Sequence, residues 1–318
     1  MKNLRIVFMG TPEFAVTILK GLLSTSHEVV GVITAPDRPA GRGQKLRKSA
    51  VKIAAEESEL TILQPTNLKD NDFQEELAHL KADLQIVVAF RMLPKAVWQM
   101  PPLGTFNLHA SLLPQYRGAA PINWALINGE DTTGVTTFFI DEKIDTGAVI
   151  MQESITISPN ENAGELHDRL MHAGSQLVLK TVDTIAQDKV TTSIQPQTGN
   201  LKTAYKLHNE NTRIDWTQDA ATVHNLIRGL NPYPGAWCYL KTNDEELRVK
   251  VYGAFAKAYT STISPQEAGV ITIVDKELLV HTVNGLINIT EMQLPGKRKM
   301  LVKDLLNGFK FSKNDKML

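Results

Sequence analysis

Two hydrophobic patterns alternate through the first half of the chain. Nearly continuous apolar runs occur at 4–9 (LRIVFM), 28–34 (EVVGVIT), 84–90 (LQIVVAF) and 105–109 (TFNLH), as buried parallel strands require. Helically spaced stretches lie between them. PEFAVTILKGLLS sets Phe14, Ile18 and Leu22 a turn apart behind Pro12 at the helix start; AVKIAAEES and NDFQEELAHLKA follow. This rhythm predicts an α/β fold with a Rossmann-like, mostly parallel sheet and helices on both faces. Two later strands, GVTTFFI and AVIMQESI, bracket the acidic loop DEKIDTG, and a long helix over 163–187 closes the domain.

The pattern changes near Lys189. Residues 189–207 are polar and read as a linker between a domain at 1–188 and another at 208–318. A helix opens the second domain, with Thr217 expected as its N-cap and Val223, Leu226, Ile227 and Leu230 on one face. NPYPG stops it. Short strands follow: AWCYLKT, LRVKVYGAF, GVITIVD, ELLVHTV and LINITEMQL. Asn284-Gly285 predicts a type I′ turn between the last two, and the spacing predicts a small OB-like β-barrel.

With 42% hydrophobic and 21% charged residues the composition is globular. No apolar run approaches the ~20 residues of a membrane helix, and LRIVFM, interrupted by Arg5, is too short for a secretory segment. A single cysteine, Cys238, excludes an internal disulfide and argues against a cysteine-based zinc site. A cytoplasmic protein without a metal is the expectation. The net charge of zero is unevenly spread: residues 191–318 carry 16 Lys/Arg against 12 Asp/Glu. The C-terminal piece is thus the better place for a polyanion.

A parallel sheet that begins strand–Gly invites a dinucleotide reading. GTPEFA does not support it, because Pro12 occupies the position where glycine lets a pyrophosphate approach, and Glu13 opposes phosphate. Chemistry concentrates elsewhere. Asn107 and His109 share one side of a strand end, and Asp145 lies in an Asp-Thr-Gly loop whose glycine is expected to let the backbone turn sharply. An amide and an imidazolium can both donate to a developing oxyanion, and a carboxylate favours the imidazolium. Singly, Asn-x-His and Asp-Thr-Gly are also ordinary structural features. The trio is a poor zinc site, and a triad through Ser111 lacks the GxSxG elbow.

NLHASLLPQYRGAAPINWALINGE and IDEKIDTG resemble the signature of the folate-dependent formyltransferases. APDRPAGRGQKL, RIDW and LNPYPGAW extend the resemblance over nearly the whole chain in the family's order. The resemblance implies catalytic roles for Asn107, His109 and Asp145. It places folate against Ser111, Leu112, Leu113 and Pro114 and against the loop Phe90, Arg91, Met92 and Leu93, where Arg91 replaces a frequent glycine. The implied donor is 10-formyltetrahydrofolate, and the implied acceptor is the α-amino group of initiator methionyl-tRNA.

Residues 36–52 hold Arg38, Arg42, Lys45, Arg47, Lys48 and Lys52 against Asp37 alone. On charge this is either a solvated loop or a grip on phosphates; the resemblance favours the acceptor end of the tRNA, with Arg42 foremost. Lys297, Arg298 and Lys299 head a second basic cluster, expected to hold RNA without reading bases. Two alternatives stand: a formyltransferase of the same architecture acting on a sugar-nucleotide amine, and a non-catalytic RNA-binding protein on this scaffold.

Overall fold

The computed structural model describes residues 2–40, 45–242, 245–261, 263–312 and 314–318. Two compact units form, and neither is one continuous stretch. The first comprises residues up to Gly118 with 133–155 and 167–203; the second comprises 119–132, 156–166 and 204–318. The polar stretch expected to be a linker therefore belongs to the first unit as far as Thr203.

In chain order the first unit begins β1 (Arg5–Gly10), α1 (Glu13–Leu23), β2 (Glu28–Ile33), the hairpin β3 (Arg38–Ala40) and β4 (Lys45–Arg47), α2 (Ala50–Glu57), β5 (Ile62–Leu63), α3 (Asn71–His79), β6 (Leu84–Val88), α4 (Lys95–Trp98), β7 (Thr105–His109) and β8 (Arg117–Gly118). After α5 (Pro121–Ile127) come β9 (Thr132–Phe139), β10 (Val149–Thr156), α6 (Ala163–Ala186) and β11 (Thr203–Ala204). The main sheet runs β10-β9-β7-β6-β1-β2-β5. From β7 to β5 every pairing is parallel, while β9 runs antiparallel to β7. Helices cover both faces, as their apolar stripes demand. α6 lies against Leu108, where a Cβ on Gly174 would sit 2.8 Å from that side chain. Phe73 and Leu77 of α3 pack on Val7, Met9 and Val87 on the other side. Gly10 has a packing role: a Cβ there would meet that of Ala15 at 2.6 Å, so the glycine lets α1 approach the strand.

The second unit pairs α5 with α7 (Ala220–Leu230), then builds β12 (Ala236–Thr242), β13 (Glu245–Lys257), β14 (Ile271–Val274), β15 (Glu277–His281), β16 (Leu286–Gln293), β17 (Met300–Leu301), α8 (Val302–Leu305) and β18 (Lys316–Met317). The antiparallel order β14-β15-β16-β13-β12-β18 becomes a ring because Met317 N–H donates to Gly269 O at 2.8 Å and Val270 bridges Lys316. β17 and β18 escape periodicity analysis because a two-residue strand has no period.

Two local expectations are corrected here. The N-cap of α7 is Asp219, whose carboxylate accepts from Thr222 N–H at 2.8 Å; Thr217 instead donates its hydroxyl to Asp215 in the preceding turn. Asn284-Gly285 does not form a type I′ turn, since neither residue takes positive φ; Asn284 Oδ1 is used to accept from Ala220 N–H at 3.0 Å. Positive φ at both central residues occurs one hairpin earlier, at Asp275 (48°) and Lys276 (65°).

Candidate active site

β1 and β6 are neighbours, and the chain leaves them in opposite directions along the sheet. This is the switch point at which open α/β sheets bind ligands, beyond the carboxyl ends of the strands. β7 lies next to β6 in parallel register, with Val87 beside Asn107 and Val88 beside Leu108. The loop after β6 thus emerges at the level of His109. Alternation turns Leu108 toward α6 and puts Asn107 and His109 on the opposite face. The side-chain amide of Asn107 has no hydrogen-bond partner among the described residues and is half-buried. It is free to donate to a ligand.

His109 is 6% exposed, and its environment determines its proton. Nε2 lies 2.8 Å from the carbonyl of Tyr116. A carbonyl can only accept, so Nε2 carries hydrogen and Nδ1 is the nitrogen left for chemistry. Nδ1 faces Asp145 Oδ2 at 3.7 Å, an ion-pair distance longer than a hydrogen bond. That same Oδ2 accepts from Gly118 N–H at 2.9 Å. The 116–118 strand end therefore orients both members of the pair. Neither Tyr116 nor Gly118 was singled out by sequence reasoning, although both lie inside the PQYRGAA block.

Three non-glycine residues around the site take left-handed backbone conformations: Ala89 (φ 47°), Tyr116 (φ 60°) and Asp145 (φ 55°). Each costs on the order of 1–3 kcal/mol and persists only where its surroundings hold it. The sharp turn at Asp-Thr-Gly is made by Asp145 itself. Gly147 serves a different need: a Cβ there would fall 1.7 Å from the carbonyl oxygen of Phe139.

The residues expected to hold folate divide into two groups. Ser111 is buried and donates to Gln115 O at 2.7 Å; Leu113 is buried with Phe138 and Val149. These two support the turn, leaving Leu112 and Pro114 partly exposed. In the other loop Leu93 is buried, whereas Phe90 is partly exposed and Arg91 and Met92 are exposed. Arg91 donates to the carbonyls of Pro65 and Thr66, and its guanidinium carbon lies 5.6 Å from the centroid of the Phe90 ring.

A cleft of about 410 Å³ opens at the switch point, lined by Thr11, Ala35, Pro36, Arg38, Arg47, Lys48, Ser49, Phe90 and Arg91. Arg38 and Arg47 are register partners in the β3–β4 hairpin. At its base Lys52 donates to Asp37 at 2.6 Å and Gln64 donates to both Ala35 O and Asp37, which holds the Asp37 carboxyl below the usual carboxylate range. Lys52 is thereby an anchor, and Lys48 pairs with Glu56 at 2.7 Å. Burial and the nearby Arg38 charge both lower the affinity of Arg91 for its proton. Like charges gathered in this way favour an anionic ligand. Arg42 lies outside the described residues, as does the side chain of Lys45.

On the barrel, Lys297, Arg298 and Lys299 are exposed in the β16–β17 connection; Lys299 pairs with Glu291 at 3.0 Å and lies 5.1 Å over the Tyr252 ring. The outer sheet face adds two cations that sequence reasoning missed. Arg248 stacks 4.0 Å over Trp237, and Arg213 lies 5.6 Å from the Trp237 and Tyr239 rings. Arg213 heads the RIDW block but follows no charge run, so only tertiary contact shows that it lies beside these rings.

The formyl transferase family model matches residues 4–182, and the formyl transferase C-terminal domain model matches residues 206–310. The chain belongs to the formyl transferase family. It is 58% identical over 317 residues to the methionyl-tRNA formyltransferase of Flavobacterium johnsoniae, covering 100% of each chain. The methionyl-tRNA formyltransferase of Bacteroides fragilis is 49% identical over 320 residues, covering 99% of this chain and 98% of that protein. Solved structures share the formyl transferase fold at lower identity. HypX from Aquifex aeolicus in complex with tetrahydrofolic acid gives a TM-score of 0.65 at 20% identity, covering 98% of this chain; the chain spans 49% of HypX. The N-formyltransferase from Helicobacter canadensis with folinic acid and dTDP-3-aminofucose gives 0.66 at 20% identity, covering 93% of this chain and 100% of that one.

Proposed function

We propose that this chain transfers the formyl group of 10-formyltetrahydrofolate to the α-amino group of initiator methionyl-tRNA in the cytoplasm. Full-length identity to relatives bearing that activity in their names supports the substrate. The observation that carries the chemistry is an Asn107 amide without a partner among the described residues, on the same strand face as His109, with Nδ1 of His109 facing Asp145. In this reading the neutral amine attacks the formyl carbon directly. The Asn107 amide donates to the oxyanion of the tetrahedral intermediate, and His109 donates through Nδ1. Asp145 accepts the proton that the amine loses, while Gly118 N–H holds its carboxylate in place. Collapse of the intermediate then breaks the bond between the formyl carbon and N10 of the folate, and the proton held by Asp145 passes to N10 as tetrahydrofolate leaves.

Folate lies against Leu112, Pro114 and the loop Phe90, Arg91, Met92 and Leu93. The acceptor end of the tRNA enters the cationic cleft, gripped by Arg38, Arg47 and Lys48, with Arg42 and Lys45 also contributing charge. Lys297, Arg298 and Lys299, joined by Arg213 and Arg248, hold RNA along the barrel face. The test is transfer of labelled formyl from 10-formyltetrahydrofolate to methionyl-tRNA, with a sugar-nucleotide amine and uncharged tRNA run in parallel. Label on methionyl-tRNA alone supports the proposal. Label on the sugar would replace the acceptor, and tRNA binding without product would leave a binding protein.

A further inference from the structure

The segment around residue 195 has a polar composition suited to a linker, yet it is built into the first unit. Val149 and Ser193 exchange both backbone hydrogen bonds, at 2.8 and 2.9 Å, which lays the segment beside β10. Gln195 follows, 3% exposed, against the loop that carries Asp145. Its Nε2 donates to Asp145 O at 3.0 Å and to Gly147 O at 2.7 Å. Its Oε1 accepts from Arg117 Nε at 3.0 Å and Nη2 at 2.7 Å, and Nη2 also reaches Pro196 O at 3.2 Å. Both amide hydrogens and both lone pairs of one buried side chain are used. Arg117 stands between Tyr116, whose carbonyl accepts the His109 hydrogen, and Gly118, whose N–H donates to the Asp145 carboxylate.

We propose that Gln195 and Arg117 form a bracket that positions His109 and Asp145 for formyl transfer, neither of them touching the reacting atoms. The bracket ties together the two loops whose left-handed residues, Tyr116 and Asp145, relax unless held. Its chemistry requires an amide. A carboxylate at 195 would still receive the Arg117 fork, but it would press oxygen against the carbonyl oxygens of Asp145 and Gly147. An alkyl side chain would serve neither loop. Positioning of this kind matters because a displacement of about 1 Å at a catalytic group costs up to ~10²-fold in rate.

The kinetic arm of the test rests on the proposed formyl transfer, whereas amide exchange does not. Gln195→Ala and Gln195→Glu are each expected to lower kcat by about 10- to 100-fold while KM for methionyl-tRNA and for the formyl donor stays within about threefold. Hydrogen exchange at the Gly118 amide should speed up by about tenfold as its hold on Asp145 loosens. A kcat within twofold of the unaltered protein, a loss confined to KM, or unchanged exchange at Gly118 would overturn the bracket. If both variants lose their cooperative melt, Arg117→Lys is read by the same criteria, since an ammonium cannot make the two-pronged contact. If the unaltered protein forms no formyl-methionyl-tRNA, the proposed substrate fails, and Gly118 exchange still decides the bracket.

Discussion

Asn107 and His109 are two residues apart in sequence but are held very differently. The side-chain amide of Asn107 makes no hydrogen bond to the described residues, so truncating it removes a donor and little else. Asn107→Ala and His109→Ala should each lower kcat by ~10²–10³-fold with little change in tRNA affinity, checked by steady-state kinetics and filter binding. Activity equal to the unaltered protein in both variants would remove them from the mechanism. The opposite case at this scale is Cys238. Burial pushes its thiol up to about 12, and its sulfur packs 3.7 Å from that of Met317. The folded protein at pH 8 should not react with a maleimide, whereas the denatured chain should be labelled once. Labelling of the native fold would mean that the barrel opens readily.

The β3–β4 hairpin combines a fixed base with charged strands. Asp37, Lys52 and Gln64 close the base, leaving Arg38 and Arg47 to face the cleft. Replacing either arginine by alanine should raise KM for methionyl-tRNA more than it lowers kcat. The slope of log affinity against log salt should fall by about one per arginine removed. An unchanged salt slope would show that these cations do not meet phosphate. In α7 a buried arginine works for the fold instead. Arg228 donates to Asn225 Oδ1 at 2.8 Å and to Glu161 O at 3.1 Å, so it fastens residues 156–166 to the helix within the second unit. Arg228→Ala should cost about 1–3 kcal/mol in urea unfolding, the penalty of leaving buried acceptors unmet.

At the scale of the whole molecule, the second unit depends on a strand too short to see in the sequence. β18 joins β12 on one side and Gly269 on the other, with Met317 1% exposed between them. Met317→Ala should therefore destabilise by about 2–5 kcal/mol, measured by denaturant titration. The same barrel has a pH dependence of known sign. His281 Nδ1 accepts from Gln266 N–H and Nε2 pairs with Thr272, so the ring is neutral, and burial lowers its pKa; His224 is lowered by burial and by Arg228. The unfolded chain takes up protons on these rings from about pH 6.5, before the folded one does. Stability is complete above that pH and falls as pH drops toward the folded values. The urea midpoint should be lower at pH 5.5 than at pH 7.5, and His281→Gln should flatten the difference.

Periodicity alone determined four of the five parallel strands, the longer helices flanking them and the five longer strands of the second unit, because burial on one face or both imposes a repeat on neighbouring residues. The two-residue β5 and the one-turn α4 are too short to show one. The Asn107–His109 spacing was legible for the same reason, since two residues apart on a strand means one face. Everything that depends on meeting across sequence distance was decided by tertiary structure. Composition cannot show that Gln195 reaches Arg117 and Asp145, that Arg213 stacks on Trp237, that Tyr116 directs the His109 proton, or that β18 closes a ring. Nor does a local rule decide among competing partners. Asn284-Gly285 fits a type I′ turn by preference, but the Asn284 side chain is taken by the start of α7, and the positive-φ pair falls at Asp275-Lys276. Local preferences amount to tenths of a kcal/mol to about 1 kcal/mol, and a buried hydrogen bond or a packed contact outweighs them.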